Sequence, residues 1–241
     1  MWMGIADNEQ RDSSEFGQKH EIVRDLVRKG FEYRGMTDQE REVVREKMRA
    51  LVLSSRMNCP NPGEMVAYGW KRPVTIFTCE IFLDAFPEAR TIHLIRDGRD
   101  VMLSRLDYRM NRLHLPLNRL AVFGTRNVDS YRGESLSLET VAAHRNEIEM
   151  EHWVTAVRFG MRGREYPDRY LEIRYEDLCT YPEQTMTRVF QFLDIPFRSE
   201  SRDWVVANAS TRSIGKWKGR EGDLTDAIAV GAPLLKELGY I

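Results

Sequence analysis

The chain has 241 residues, 30% of them charged, with 36 Lys and Arg against 37 Asp and Glu for a formal net charge of −1. That length supports a sizeable core and either one large domain or two small ones. The missing basic excess argues against a nucleic-acid partner, and the absence of a long apolar run argues against a membrane span.

Cys59, Cys79 and Cys179 are scattered, without a Cys-x-x-Cys pair, so neither a disulfide framework nor a metal site is expected. No basic segment followed by an apolar one opens the chain, so no signal peptide is read and a reducing, cytoplasmic location is expected. Residues 1–14 read as a polar loop. Ile22, Val23, Leu26 and Val27 recur at helical spacing, predicting a helix from Glu15 to Lys29 that Gly30 stops. Thr37 and Glu40 form a capping box for a second helix to Ser55, with Val43, Val44, Met48, Leu51 and Val52 as its apolar face.

A Pro/Gly-marked loop follows at 58–63, then a short strand over 65–70 and a turn at Lys71-Arg72-Pro73. Val74 to Phe86 is apolar nearly all round and predicts a buried helix. Thr91 to Ile95 then reads as a buried strand feeding a helix. Arg96 falls at the strand end, Asp97 and Asp100 are spaced as an N-cap and its first-turn acidic partner, and Gly98 allows a tight turn. Ligands of open parallel sheets bind beyond the strand carboxyl ends, where helix N-termini attract anions. Arg96 there can pair a phosphate, and Ser104 shares the helix face of Asp97 and Asp100. The same residues also read as a capped helix start with local ion pairs.

Residues 112–138 lose periodicity and carry Arg112, Arg119, Arg126 and Arg132, which suits a lid or acceptor-binding loop. A long helix is expected from Leu138 to Arg162, a strand over Tyr170–Tyr175, and a helix from Tyr181-Pro182 to Leu193. Residues 196–226 read mostly as loop around Ser210 to Arg220, and a short helix from Leu234 to Leu238 closes the chain. His93 reads as a core histidine, and no histidines share metal-like spacing.

Several pieces in order resemble the sulfotransferase family. Phe86-Pro87-Glu88-Ala89-Arg90, the run to Arg96-Asp97-Gly98-Arg99-Asp100 and Ser104 look like its 3′-phosphate-binding segment. Tyr170 to Leu178 with the following helix is similar to its next strand and helix. Gly215-Lys216-Trp217-Lys218 resembles its late basic loop, and Gly69 to Pro73 its Lys-x-Pro element. Pro233 to Ile241 resembles the tail of bacterial-type members.

The resemblance spans roughly residues 64–241. It implies an α/β three-layer sandwich with a mostly parallel sheet flanked by helices. It implies 3′-phosphoadenosine 5′-phosphosulfate as donor, adenosine 3′,5′-bisphosphate as product, and no metal. The acceptor would be a hydroxyl or amine of a small molecule or carbohydrate. Arg96 and Ser104 would hold the 3′-phosphate, with Ser213, Gly215 and Lys216 closing from the late loop. Tyr175 would approach the adenine and Lys71 the sulfuryl group. Sulfuryl transfer, like phosphoryl transfer, needs an in-line nucleophile and positive charge at the leaving oxygen.

The family's opening strand and phosphosulfate-binding P-loop have no counterpart. Gly30 to Thr37 matches the spacing, but Met36 stands where the nucleotide-binding pattern requires lysine, which also disfavours a nucleotide kinase. The chain is therefore expected to begin late, by truncation, a misassigned start or loss. Loss would leave a degenerate nucleotide-binding or assembly module, and a gapped sheet would favour a homodimer. Glu9 and Asp12 are the carboxylates nearest the position of the family's catalytic base, and each reads equally as part of a solvated acidic loop. One domain over residues 1–241 is expected, helical to 63 and carrying the nucleotide motifs from 64.

Overall fold

The computed structural model describes residues 13–57, 67–69, 71, 73–109 and 130–241. It has an α/β fold, mostly helical, with a small parallel sheet. The chain divides into two compact units, one of Met1–His93, Phe159–Leu171 and Thr187–Trp204, the other of Leu94–Arg158, Glu172–Met186 and Val205–Ile241.

The first unit is built on α1 (Ser13–Glu32) and α2 (Asp38–Met57), joined by a 3-10 turn at Tyr33–Gly35. The capping box forms as expected: Glu40 N–H donates to Thr37 Oγ1 at 3.3 Å, and Thr37 N–H donates to Glu40 Oε2 at 2.8 Å. Gly30 does not stop α1. It lies inside the helix, where a Cβ would fall 2.0 Å from the Phe77 carbonyl oxygen. Leu26, Val44, Met48, Leu51 and Val52 pack with Tyr33, Ile81 and Ala85 into one apolar core. Val43, expected on that face, is exposed.

The helix expected over 74–86 is half as long. Pro73–Thr78 winds as a 3-10 helix and α3 covers only Cys79–Ala85. Val74 is exposed, whereas Phe77, Cys79, Ile81, Leu83 and Ala85 are buried. Burial pushes the Cys79 thiol up to about 12, so it behaves as a small apolar side chain. Asp84 accepts hydrogen bonds from the Tyr33 hydroxyl at 2.9 Å and the Tyr166 hydroxyl at 2.6 Å. Residues 67–69 form no strand.

β1 (Thr91–Ile95) is half-buried rather than fully buried: His93 and Ile95 face inward, Ile92 and Leu94 outward. The His93 Nδ1 pairs with the Tyr170 hydroxyl at 2.6 Å, as suits a core histidine. In the second unit α4 (Gly98–Arg109) follows the strand. The stretch expected as a loop to 138 includes a small hairpin, β2 (Ser130–Tyr131) with β3 (Glu134–Ser135). Its turn residues Arg132 and Gly133 both have positive φ, at 51° and 88°.

The long helix expected from Leu138 is two helices, α5 (Leu138–Ala143) and α6 (Arg145–Met161), with a break at His144. The Ser137 hydroxyl caps α5 by accepting Thr140 N–H at 3.0 Å. β4 (Tyr170–Arg174) pairs with β1, and α7 (Tyr175–Thr180) follows it directly. α8 (Pro182–Leu193) starts at Pro182 as expected. The region read as loop contains α9 (Ser199–Asn208) and the start of α10 (Thr225–Glu237), which runs through Pro233. Among the described residues no helix is long and apolar enough to cross a membrane.

Candidate functional site

The site begins where β1 ends. The Arg96 carbonyl accepts the Trp153 indole N–H at 3.0 Å. Gly98 is needed for that indole more than for a turn, because a Cβ on it would fall 2.5 Å from Trp153 Cδ2. Asp97 caps α4: its Oδ1 accepts the Arg99 N–H at 2.9 Å. The Arg99 guanidinium forks onto the same carboxylate through Nε at 2.9 Å and Nη2 at 2.7 Å. Asp100, however, does not complete a local capping box. The Asp97 N–H donates instead to Glu176 Oε1 at 2.9 Å, and Glu176 Oε2 accepts the Tyr240 hydroxyl at 3.0 Å. Burial, with Glu176 beside it, pushes the Tyr240 hydroxyl pKa upward.

Asp100 reaches the late loop. It accepts the Gly215 N–H at 2.7 Å and the Trp217 N–H at 3.3 Å. Arg96 Nη2 donates to the Ser213 carbonyl and lies 3.9 Å from Asp100 Oδ2. The Tyr175 ring centroid is 4.8 Å from the Arg96 guanidinium carbon. A hydrogen bond with Cys179, then burial, raises the Tyr175 hydroxyl pKa. Residues 210–220 carry Arg212, Lys216, Lys218 and Arg220 and no carboxylate. All four cations are exposed. Such a loop over a guanidinium is suited to a polyanion.

The second unit thus brings Arg96, Tyr175, Ser213 and Gly215 together, and holds Ser104 and Lys216 with exposed side chains. Lys71 is exposed and belongs to the first unit. Glu9 and Asp12 lie outside the described residues, as do Trp70, Arg72 and residues 110–129 of the expected acceptor loop. Sequence reasoning missed the bracing roles of Arg99, Asp100, Glu176, Trp153 and Tyr240. The available signal was the charge density of Arg96 to Asp100, which resembles that of a solvated helix start. Among the described residues no group of three His, Cys, Asp or Glu is placed to hold a metal.

The family model described as "Sulfotransferase family" matches residues 5–199. A protein-tyrosine sulfotransferase of Drosophila melanogaster is 24% identical over 193 residues, covering 70% of this chain and 34% of that protein. Protein-tyrosine sulfotransferase 1 of Danio rerio is 24% identical over 228 residues, covering 86% of this chain and 56% of that protein. An omega-hydroxy-beta-dihydromenaquinone-9 sulfotransferase of Mycobacterium tuberculosis is 30% identical over 127 residues, covering 52% of this chain and 28% of that protein. The chain therefore spans between about 28% and 56% of the length of these relatives. With a family match over most of its length and an α/β fold to go with it, the chain belongs to the sulfotransferase family.

Proposed function

We propose that the chain transfers a sulfuryl group from 3′-phosphoadenosine 5′-phosphosulfate to a hydroxyl acceptor, releasing adenosine 3′,5′-bisphosphate. Arg96 carries the reading. Its guanidinium is held by Ser213 and Tyr175, yet its Nε is buried without a partner among the described residues. A buried donor left unpaired is costly, and a ligand oxygen would satisfy it. The exposed cations of the late loop favour the same kind of ligand.

When bound, the donor supplies the activated sulfuryl group. Arg96 and the Ser104 hydroxyl would hold its 3′-phosphate. Because the Gly215 N–H is engaged by Asp100, the Lys216 ammonium and Ser213 hydroxyl are the groups this turn would offer. The Tyr175 ring would flank the adenine. Lys71 would offset charge at the leaving oxygen, and Glu9 or Asp12 would take the acceptor proton. The relatives are named for tyrosine and an omega-hydroxy-beta-dihydromenaquinone, both of which bear a hydroxyl, which favours oxygen over nitrogen as nucleophile. A small molecule or carbohydrate would present the same group.

Calorimetry with adenosine 3′,5′-bisphosphate tests the site. Binding is expected, with Arg96→Ala weakening it about tenfold or more. No heat from a folded sample at millimolar ligand would overturn the assignment. Binding without transfer to phenols, alcohols or sugars would instead mark a nucleotide-binding module.

A further inference from the structure

Asp100 is a buried carboxylate whose charge the proposed chemistry does not use. Its side chain is 1% exposed. Both oxygens face the late loop, taking the N–H groups of Gly215 and Trp217. Gly215 has a φ of 73°, the left-handed conformation that lets neighbouring N–H groups converge on one anion. That concavity is filled from inside the protein by Asp100. The same carboxylate stands 3.9 Å from Arg96.

We propose that Asp100 is a positioning residue for donor binding, a strut that fixes the Gly215 turn, with its Lys216 and Lys218, against the turn that carries Arg96. The inference rests on reading this region as the 3′-phosphate site. Two effects of opposite sign follow from the geometry. A negative charge beside Arg96 weakens its pull on a phosphate. Holding the loop spares the ligand the work of ordering several backbone residues. The second effect wins, because two N–H donors already satisfy the carboxylate, whereas a loop without the strut has lost both of those bonds.

Asp100→Asn separates the two effects. The amide keeps the size, can accept only one of the N–H groups, and turns its own donors toward the other. The expected result is about tenfold weaker binding of adenosine 3′,5′-bisphosphate by calorimetry. Trypsin should cut faster after Lys216 and Lys218 at a temperature well below the melting temperature of both the variant and the parent chain. Equal or tighter binding by the folded variant would overturn the proposal, since relief of the charge on Arg96 would then dominate. Unchanged cleavage would overturn it as well. If the parent chain itself fails to bind, the phosphate reading falls, and faster cleavage would then mark Asp100 as purely structural. Should the variant not fold, hydrogen exchange on the ligand-free parent chain decides: slow exchange at Gly215 and Trp217 supports the strut, and exchange at unstructured rates refutes it.

Discussion

The Arg99 guanidinium carbon lies 3.6 Å from the centroid of the Trp217 ring. Its other contacts are the Asp97 carboxylate and the Tyr240 carbonyl, the latter at 2.9 Å, and its side chain is only 5% exposed. One buried cation thus ties the start of α4 to the late loop and to the last residues of the chain.

Arg99→Ala would leave the Asp97 carboxylate buried without its cation. The expected loss of stability is about 3–5 kcal/mol, read from the midpoint of urea unfolding. Arg99→Lys should recover only part of it, because an ammonium cannot fork onto a carboxylate and lie flat on an indole together. Full recovery by lysine would mean that charge alone matters at this position.

Gly30 offers a backbone test in the first unit. Alanine is the better helix former by about 1 kcal/mol. Its Cβ would nonetheless meet the Phe77 carbonyl oxygen at 2.0 Å, and a carbonyl cannot swing away as a side-chain tip can. Gly30→Ala is expected to cost a net ~1–3 kcal/mol in thermal unfolding. Gly35→Ala, where a Cβ meets nothing within 4 Å, should change little.

His144 sits at the break between α5 and α6. Its Nδ1 is 3.1 Å from Glu147 and its Nε2 3.5 Å from Glu134 of the hairpin. The Tyr131 ring lies 5.4 Å away, and its hydroxyl bonds Glu151, which also has Arg132 at 3.8 Å. The hydrogen bond that His144 donates to the Glu147 carboxylate, helped by Glu134, raises the His144 pKa above its ordinary 6.5 against a burial effect of opposite sign. A raised folded-state pKa means that the stabilisation is fully present below about 6.5 and fades as pH rises through the raised value. Urea midpoints measured across this range should fall with pH, and His144→Gln should flatten the trend. An unchanged slope in the variant would assign the pH dependence elsewhere.

Elements with local signals are legible in the amino-acid sequence. The Thr37–Glu40 capping box and the Pro182 start of α8 involve residues a few positions apart and form as expected. α9 leaves no such signal for a physical reason: none of its residues is buried, so it carries no apolar stripe. α10 reads short because Pro233 resembles a helix start, yet Ala227, Gly231, Leu234 and Leu235 are buried along it. Gly231 lets α10 approach α6, since a Cβ there would lie 2.6 Å from the Met150 sulfur. Packing of that face outweighs one missing N–H. The break at His144 is hidden because the apolar spacing continues across it.

The amino-acid sequence by itself determined the family, the strand-to-helix switch at Arg96 and the cationic character of the late loop, since each is written in neighbouring residues. Only the tertiary structure decided what the charges between them do. Asp97, Arg99 and Asp100 look like a solvated helix start and are interior. The Asp100 carboxylate meets an N–H 115 positions away, and Arg99 a carbonyl 141 positions away. A charge can be buried only where such distant partners satisfy it, and folding is what brings those partners to it.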